Sequence, residues 1–187
     1  MKAQYPQAIL SGIEYSQKAQ QVAPQQIQKC IQVGDLVELA PKLAAQPYDI
    51  VVCSEVLEHL PDLNQALEAI VSLLKPKGLA VFTVPGGMRY WSEQDEVAGH
   101  YRRFEYEEFA DLLQRNGLQI EHHYGWGGPF SSFYNRMISL VGPQRIMRHG
   151  TSLLSTISAK LFMTLFHVDD LFCSRYGFQL VTRARYL

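Results

Sequence analysis

Two acids and a histidine lie close together in the stretch Glu55-x-x-Glu58-His59, and a second histidine, His100, follows further along the chain. On a helical turn, positions i, i+3 and i+4 share one face, so this spacing predicts that the first three side chains converge. Carboxylates and imidazoles are suitable ligands for a divalent ion. His100 could instead act as a general base, because the unperturbed pKa of histidine is about 6.5.

The two arginines after His100 allow a purely structural interpretation of the acids. Arg102 and Arg103 could be salt-bridge partners of these acids, and they would then oppose metal binding. We therefore predict catalytic roles for His100, Glu55 and His59 and no metal, and we keep a divalent ion held by all four acids and histidines as the alternative.

Residues 48–85 contain the two strands and the helix that we expect to position these side chains. Tyr48–Ser54 is an apolar, strand-forming run, and Leu79–Val84 is a second one. Between them, Pro61 and Asp62 begin a helix, which Lys75-Pro76-Lys77-Gly78 should end with glycine as the C-cap. The apolar side of that helix consists of Leu63, Ala66, Leu67, Ile70, Leu73 and Leu74.

A β-α-β unit with two apolar strands indicates a parallel sheet that is covered on both faces. In such sheets, ligands bind beyond the carboxyl ends of the strands. Those ends carry the stretch from Ser54 to His59 and the run Pro85-Gly86-Gly87. The sequence therefore places the acids and His59 at the ligand-binding edge.

The order Tyr-Asp-Ile-Val-Val, Glu-Val-Leu-Glu-His-Leu-Pro-Asp and Leu-Lys-Pro-Lys-Gly-Leu resembles the second half of class I S-adenosylmethionine-dependent methyltransferases of type 11 or type 23. The resemblance runs from about residue 8 to residue 126 and resumes near 176–186. It implies an α/β fold with a Rossmann-like sheet that is mainly parallel and has an antiparallel last strand. It also implies methyl transfer from S-adenosylmethionine to a small-molecule, glycan or lipid-linked acceptor, with oxygen as the favoured atom. The alternative is a non-catalytic fragment or pseudoenzyme that acts as a binding module.

The resemblance also assigns cofactor-binding residues. Glu14 ends the second strand of the family pattern, where an acid grips the ribose hydroxyls. Gly34 and Asp35 follow the third strand, where the family contacts adenine. Ser54 and Glu55 complete the set, with Glu55 placed to orient the substrate or the cofactor amine. Each of the loop residues could instead simply form a turn.

Two branches of this family, ubiquinone-pathway and small-RNA 2′-O-methyltransferases, have Glu-x-x-Glu-His and a later His-x-x-x-Phe. In those branches these side chains hold a divalent ion near the acceptor hydroxyl. The matching residues here are Glu55, Glu58, His59 and His100. Many other relatives carry Leu-Glu-His-Leu without a metal, so the resemblance leaves the metal open.

The first strand of the family and its Asp/Glu-x-Gly-x-Gly turn are not found ahead of the short predicted strands Gln7–Ile13 and Cys30–Val33. That strand would lie between the second and fourth strands, in the middle of the sheet. We therefore expect an N-terminally incomplete domain that binds the cofactor weakly or not at all.

The end of the chain resembles the closing strand pair of the family, predicted at Leu118–Trp126 and Phe178–Tyr186. Residues 127–175 lie between these strands and contain apolar stretches with helical spacing, so we expect a helical cap within a single domain, 1–187. A surface that rests on a membrane is the less favoured interpretation of these residues.

Composition bounds the remaining possibilities. The chain has 187 residues, 47% hydrophobic and 19% charged, which is ordinary for a globular domain. A net charge of −1 gives no basic surface for duplex nucleic acid. Three widely spaced cysteines predict no disulfide framework and a reducing compartment. With no signal peptide evident in the first residues, we expect a cytoplasmic protein.

Overall fold

The computed structural model describes residues 7–128 and 175–187. The strands in this part of the chain are β1 (Gly12–Glu14), β2 (Ile31–Val33), β3 (Tyr48–Ser54), β4 (Leu74–Pro85), β5 (Leu118–Trp126) and β6 (Gln179–Tyr186). The α-helices are α1 (Gln17–Val22), α2 (Gln25–Gln28), α3 (Leu36–Leu43), α4 (Leu63–Ser72), α5 (Glu93–Ala98) and α6 (Tyr106–Arg115). Short 3-10 turns cover Leu57–His59 and Met88–Tyr90.

The main sheet has four strands in the order β3-β4-β6-β5. Strands β3 and β4 are parallel and joined through α4, as the β-α-β pattern predicted. The last strand, β6, runs antiparallel to both of its neighbours, β4 and β5. This arrangement confirms the predicted α/β sheet with an antiparallel closing strand.

The core lies between this sheet and the helices α4 and α6. Phe82 on β4 is fully buried and meets Phe109 of α6 with the ring centroids 5.9 Å apart. Leu67 and Ile70 are buried on the apolar face of α4, and Leu113 is buried on α6. Burying a side chain of this size contributes about 1.5–3 kcal/mol, so these contacts hold β3, β4 and the loops at their ends in place.

The end of α4 differs from the prediction. The helix begins after the N-cap Asp62, as expected, but it ends at Ser72, so the prediction of Gly78 as its C-cap is wrong. Leu74 already pairs with Tyr48 in the sheet, and its buried side chain draws the chain into β4 directly after the helix. Gly78 is needed for a different reason: a Cβ there would lie 2.8 Å from the carbonyl oxygen of Lys75.

Strands β1 and β2 are shorter than predicted and form a separate parallel pair. Within the described ranges, β3 pairs only with β4, so its other edge is open. Ile50 and Val52 on β3 are 57% and 55% exposed, which is unusual for apolar residues of a strand in this kind of sheet. The sheet is therefore interrupted between β1 and β3, where the resemblance places the family's first strand.

In the second half of the chain, the structure contains helix α5, which was not predicted from the sequence. The predicted cap at 127–175 lies almost wholly outside the described residues. Within the described ranges, none of the helices is both long enough and apolar enough to cross a membrane.

Candidate functional site

The loop after β3 bends before the acids can share a helical face. Glu55 has a left-handed backbone, with φ 52°, and only Leu57–His59 form a 3-10 turn. The Glu55 N–H donates to the carbonyl of Thr83 on β4. The prediction that Glu55 converges with Glu58 and His59 on one helical turn is therefore wrong, because pairing with β4 carries its backbone along the sheet edge.

Glu55 instead belongs to a polar cluster at the ends of β3, β4 and β6. The Thr83 hydroxyl donates to Glu55 Oε1 at 2.8 Å, and the side-chain amide of Gln179 donates to the same oxygen. Ser54 Oγ lies 2.7 Å from the Thr83 hydroxyl oxygen. Ser54 and Glu55 thus do lie together at the carboxyl edge of the sheet, as predicted.

Glu58, His59 and His100 form a second cluster. One potential ligand atom from each of the three lies within 4.8 Å of the others. The rings of His59 and His100 meet edge to face, with centroids 4.7 Å apart. The structure therefore brings together three of the four residues that the sequence proposed as metal ligands, and these three could hold a cation.

Glu58 is the buried member of this cluster. Its side chain is 0% exposed, and neither carboxylate oxygen has a hydrogen-bond partner among the described residues. The nearest imidazole nitrogen, Nε2 of His59, lies 3.9 Å from Oε1. Burial raises the pKa of Glu58 to about 7, with the negative charge of Glu55 adding to the effect.

His100 is held from behind by Asp95. Its Nδ1 lies 2.8 Å from Asp95 Oδ1, which also accepts a hydrogen bond from Arg103 Nε at 2.8 Å. Asp95 is 1% exposed. Burial opposes its ionisation, but hydrogen bonds from Arg103, His100 and the Ser92 backbone outweigh it and lower the pKa of Asp95.

The arginines do not pair with the predicted acids. Arg103 donates to Asp95 and to the carbonyl of Gly86, and its guanidinium lies 4.6 Å from the ring centroid of Phe178. Arg102 donates to the carbonyl of Pro61 at 3.1 Å. The alternative in which these arginines form ion pairs with the acids of the cluster is therefore wrong.

Backbone hydrogen bonds connect the His100 loop to the sheet edge. The N–H of Tyr101 donates to the carbonyl of Glu58 at 2.8 Å. Gly86 at the end of β4 forms a β-bridge with Phe104, whose ring is buried in the core. The two segments that carry the histidines are thus fixed to one another and to β4.

Asp95 is the residue that the sequence interpretation missed. It is the third residue of α5 and forms a capping box with Ser92: the Ser92 side chain accepts from the Asp95 N–H, and Asp95 accepts from the Ser92 N–H. The pattern Ser-x-x-Asp ahead of Gly99 could have predicted the helix. The contact of Asp95 with His100 could not be derived from that pattern.

The residues predicted to bind the cofactor lie at three strand ends. Glu14 ends β1, and its carboxylate accepts a hydrogen bond from the Ser16 N–H at 2.8 Å. Asp35 follows β2, but its Oδ1 caps α3 by accepting from the N–H groups of Val37 and Glu38. The Gly34 N–H donates to the Glu14 carbonyl, which joins these two ends.

These positions fit S-adenosylmethionine in part. A partly exposed carboxylate at Glu14 suits two ribose hydroxyls. Gly34 also has a purely structural explanation, since a Cβ there would lie 3.0 Å from Leu39 Cδ1. The roles of Glu14, Gly34, Asp35, Ser54 and Glu55 in cofactor binding stay predictions.

Comparison with known proteins decides the family. Residues 1–123 match the family model described as a methyltransferase domain. The chain belongs to this methyltransferase family. A ubiquinone biosynthesis O-methyltransferase from Thiobacillus denitrificans is 38% identical over 80 residues, which is 41% of this chain and 34% of that protein. The curated relatives are matched over about a fifth to a third of their own length.

Solved structures agree on the fold. A SAM-dependent methyltransferase from Archaeoglobus fulgidus superposes with a TM-score of 0.58 and 14% identity, covering 98% of this chain and 79% of that one. Phosphoethanolamine N-methyltransferase 2 of Haemonchus contortus, solved with S-adenosyl-L-methionine, superposes with a TM-score of 0.55 and 16% identity. The match covers 94% of this chain and 43% of that one. The expectations of a methyltransferase fold and of membership in an enzyme family are confirmed.

Proposed function

We propose that this domain transfers a methyl group from S-adenosylmethionine to an oxygen atom of a small-molecule, glycan or lipid-linked acceptor. The observation that carries the proposal is the convergence of His59, His100 and Glu58 at the carboxyl edge of the sheet, with Nδ1 of His100 bound to Asp95. The similarity to ubiquinone biosynthesis O-methyltransferases supports an oxygen acceptor.

For this reaction the protein must align the two reactants and accept one proton from the acceptor. When bound, S-adenosylmethionine supplies a methyl group made electrophilic by its sulfonium. The polar cluster of Ser54, Glu55 and Gln179 would hold the cofactor's amino-acid end beside the sheet edge. His100 Nε2 would accept the proton that the acceptor hydroxyl releases. Alignment of the two reactants accounts for much of the expected rate.

The test is a methyl-transfer assay with isotopically labelled S-adenosylmethionine and a panel of phenols, catechols and saccharides. We expect His100→Gln to lower turnover by about 100-fold or more, since a positioned base contributes about 10²–10⁴ in rate. The matched control is His122→Gln, a change at an exposed histidine on β5. Equal turnover in the two variants would exclude His100 as the base.

Cofactor binding is tested separately by calorimetry. Glu14→Gln should weaken binding of S-adenosylmethionine by about 1.5–3 kcal/mol, the range for a hydrogen bond to a charged group. Glu38→Gln, on the first turn of α3, is the control because it preserves the end of β1. Unchanged affinity in Glu14→Gln would remove this residue from the cofactor site.

A divalent ion at Glu58, His59 and His100 is the second candidate. It is favoured by one observation, the buried carboxylate of Glu58 without a hydrogen-bond partner among the described residues. The ion would hold the acceptor oxygen and make its proton more acidic. Calorimetric titration with Mg²⁺, Mn²⁺ and Zn²⁺ should show binding that His59→Gln abolishes, whereas no uptake by the wild-type protein would exclude the ion.

A further inference from the structure

Asp95 has the geometry of a group that acts through His100. It is buried, and Oδ1 bonds both His100 Nδ1 and Arg103 Nε at 2.8 Å. A carboxylate can only accept these hydrogen bonds, so the neutral imidazole must carry its proton on Nδ1. The lone pair is then on Nε2, the nitrogen that does not contact Asp95.

Arg103 keeps this carboxylate charged. Burying an unpaired carboxylate costs much free energy, and burying one that is paired with a cation costs far less. Arg103 is itself fixed at two other points, by the carbonyl of Gly86 at 3.3 Å and by the ring of Phe178. The Arg103–Asp95 pair therefore links the ring of His100 to the ends of β4 and β6.

We infer that Asp95 is a positioning residue, which with Arg103 fixes the Nδ1–H tautomer and the ring orientation of His100 so that Nε2 can accept a proton from the acceptor. The inference rests on the proposed function for the identity of that proton. Its structural half, the tautomer, can be measured without any turnover. A residue that served only to cap α5 would affect stability but would leave the tautomer of His100 unchanged.

The experiment records nitrogen-15 spectra of the histidine rings at about pH 8, where an unperturbed imidazole is neutral. The chain has six histidines, and the spectrum of His100→Gln assigns the signals of His100. We expect the wild-type ring to be protonated on Nδ1. In Asp95→Asn, whose amide can also donate to Nδ1, the share of the Nε2–H form should rise at least tenfold.

Ser92→Ala is the matched control. It removes the weaker contact between Ser92 Oγ and Asp95 Oδ2 at 3.2 Å and preserves the bond to His100, so the tautomer should not change. If Asp95→Asn does not fold, the wild-type spectrum still decides. A wild-type His100 with a proton on Nε2 would overturn the inference, as would an unaltered tautomer in folded Asp95→Asn.

Kinetics tests the functional half. Asp95→Asn should lower kcat by about 10- to 100-fold, the range for a group that orients an active-site histidine, with KM for S-adenosylmethionine within twofold of wild type. Unchanged kcat would overturn the role in catalysis even where the tautomer is as expected. If no tested acceptor is methylated by the wild-type protein, the proposed function fails, and the spectra still decide the tautomer.

Discussion

Asp95 and Glu58 are two almost fully buried carboxylates close to His100, yet their surroundings have opposite effects. Asp95 accepts hydrogen bonds from Arg103, His100 and Ser92, and its pKa is lowered. Glu58 has no hydrogen-bond partner among the described residues, and burial raises its pKa to about 7. Burial alone therefore does not decide whether an acid is charged; the donors that surround it do.

The difference separates a structural acid from a reactive one. A fully bonded, charged carboxylate such as Asp95 can hold a ring in place but has little capacity left for a ligand. A carboxylate such as Glu58, with both oxygens available, is suited to a proton, a hydroxyl group or a cation. Substitutions on either side of this contrast should therefore differ in their effects on stability.

Removing the counter-ion of Asp95 should be the most damaging change. Arg103→Gln leaves a buried carboxylate without its main charged partner, and breaking such a pair costs about 3–5 kcal/mol. Arg102→Gln, at the next residue, removes only a bond to the Pro61 carbonyl and should cost less than about 1 kcal/mol. Urea unfolding measures both. Equal losses of unfolding free energy in the two variants would mean that the Arg103–Asp95 pair does not stabilise this region more than the Arg102 contact does.

Glu58→Gln should remove a pH dependence of stability. The folded pKa of about 7 lies above the ordinary value of 4.5, so between these values the folded protein binds more protons than the unfolded chain. Stability should then fall as the pH rises through this window and level off above about pH 7. Asp95, with a lowered pKa, contributes in the opposite sense: its stabilisation is lost as the pH falls.

The measurement is the free energy of unfolding of the wild type and Glu58→Gln between pH 5 and pH 8, in chelator. The variant should gain about 1–3 kcal/mol relative to the wild type across this range, the scale of a buried unsatisfied group. Glu108→Gln on the exposed side of α6 is the control. Parallel curves for Glu58→Gln and wild type would show that Glu58 is already paired.

The sequence predicted the parts of the fold that long apolar runs specify. The bounds of β3 and β5 are as predicted, and β6 begins one residue later than predicted, because each strand pairs with a neighbour over most of its length. The end of α4 was wrong because burial of Leu74 overrides a local glycine signal. Helix α5 was missed because it is short and polar, and capping rather than apolar periodicity specifies it.

The candidate site was predicted in its residue types but not in its grouping. Local spacing placed Glu55 beside Glu58, whereas a hydrogen bond to Thr83, far away in sequence, turns the backbone of Glu55 away. The contact between Asp95 and His100 depends on the turn after α5. Both are tertiary contacts, and one sequence without its fold contains no direct measure of them.

Ser92→Ala should have a smaller effect than the change at Arg103. Ser92 is the N-cap of α5, and its hydroxyl also donates to the carboxylate of Asp95 at 3.2 Å. Alanine removes this side-chain contact but keeps the stronger bond from the Ser92 backbone N–H. The expected cost is about 0.5–2 kcal/mol, the range for an N-cap. Asp62→Ala removes the cap of α4 instead and is the matched control, with a similar cost, and neither change should alter the His100 spectrum. A cost for Ser92→Ala as large as that of Arg103→Gln would mean that the Ser92 side chain, and not the arginine, is the main support of Asp95.

The smallest effect concerns the thiol beside Glu58. Burial raises the pKa of Cys53 to about 12, and the charges of Glu58 and Glu55 add to the shift. A thiol reacts as its thiolate, so Cys53 should resist an aromatic disulfide reagent at about pH 8, whereas the partly exposed Cys30 should react. Cys173 is replaced by serine in all samples, so that only Cys30 and Cys53 can react with the reagent. Cys30→Ser in that background should then show almost no labelling until urea is added, with function and stability unaffected. Rapid labelling of Cys53 in the folded protein would mean that water reaches this side of the cluster, and the burial that distinguishes Glu58 from an ordinary surface acid would be lost.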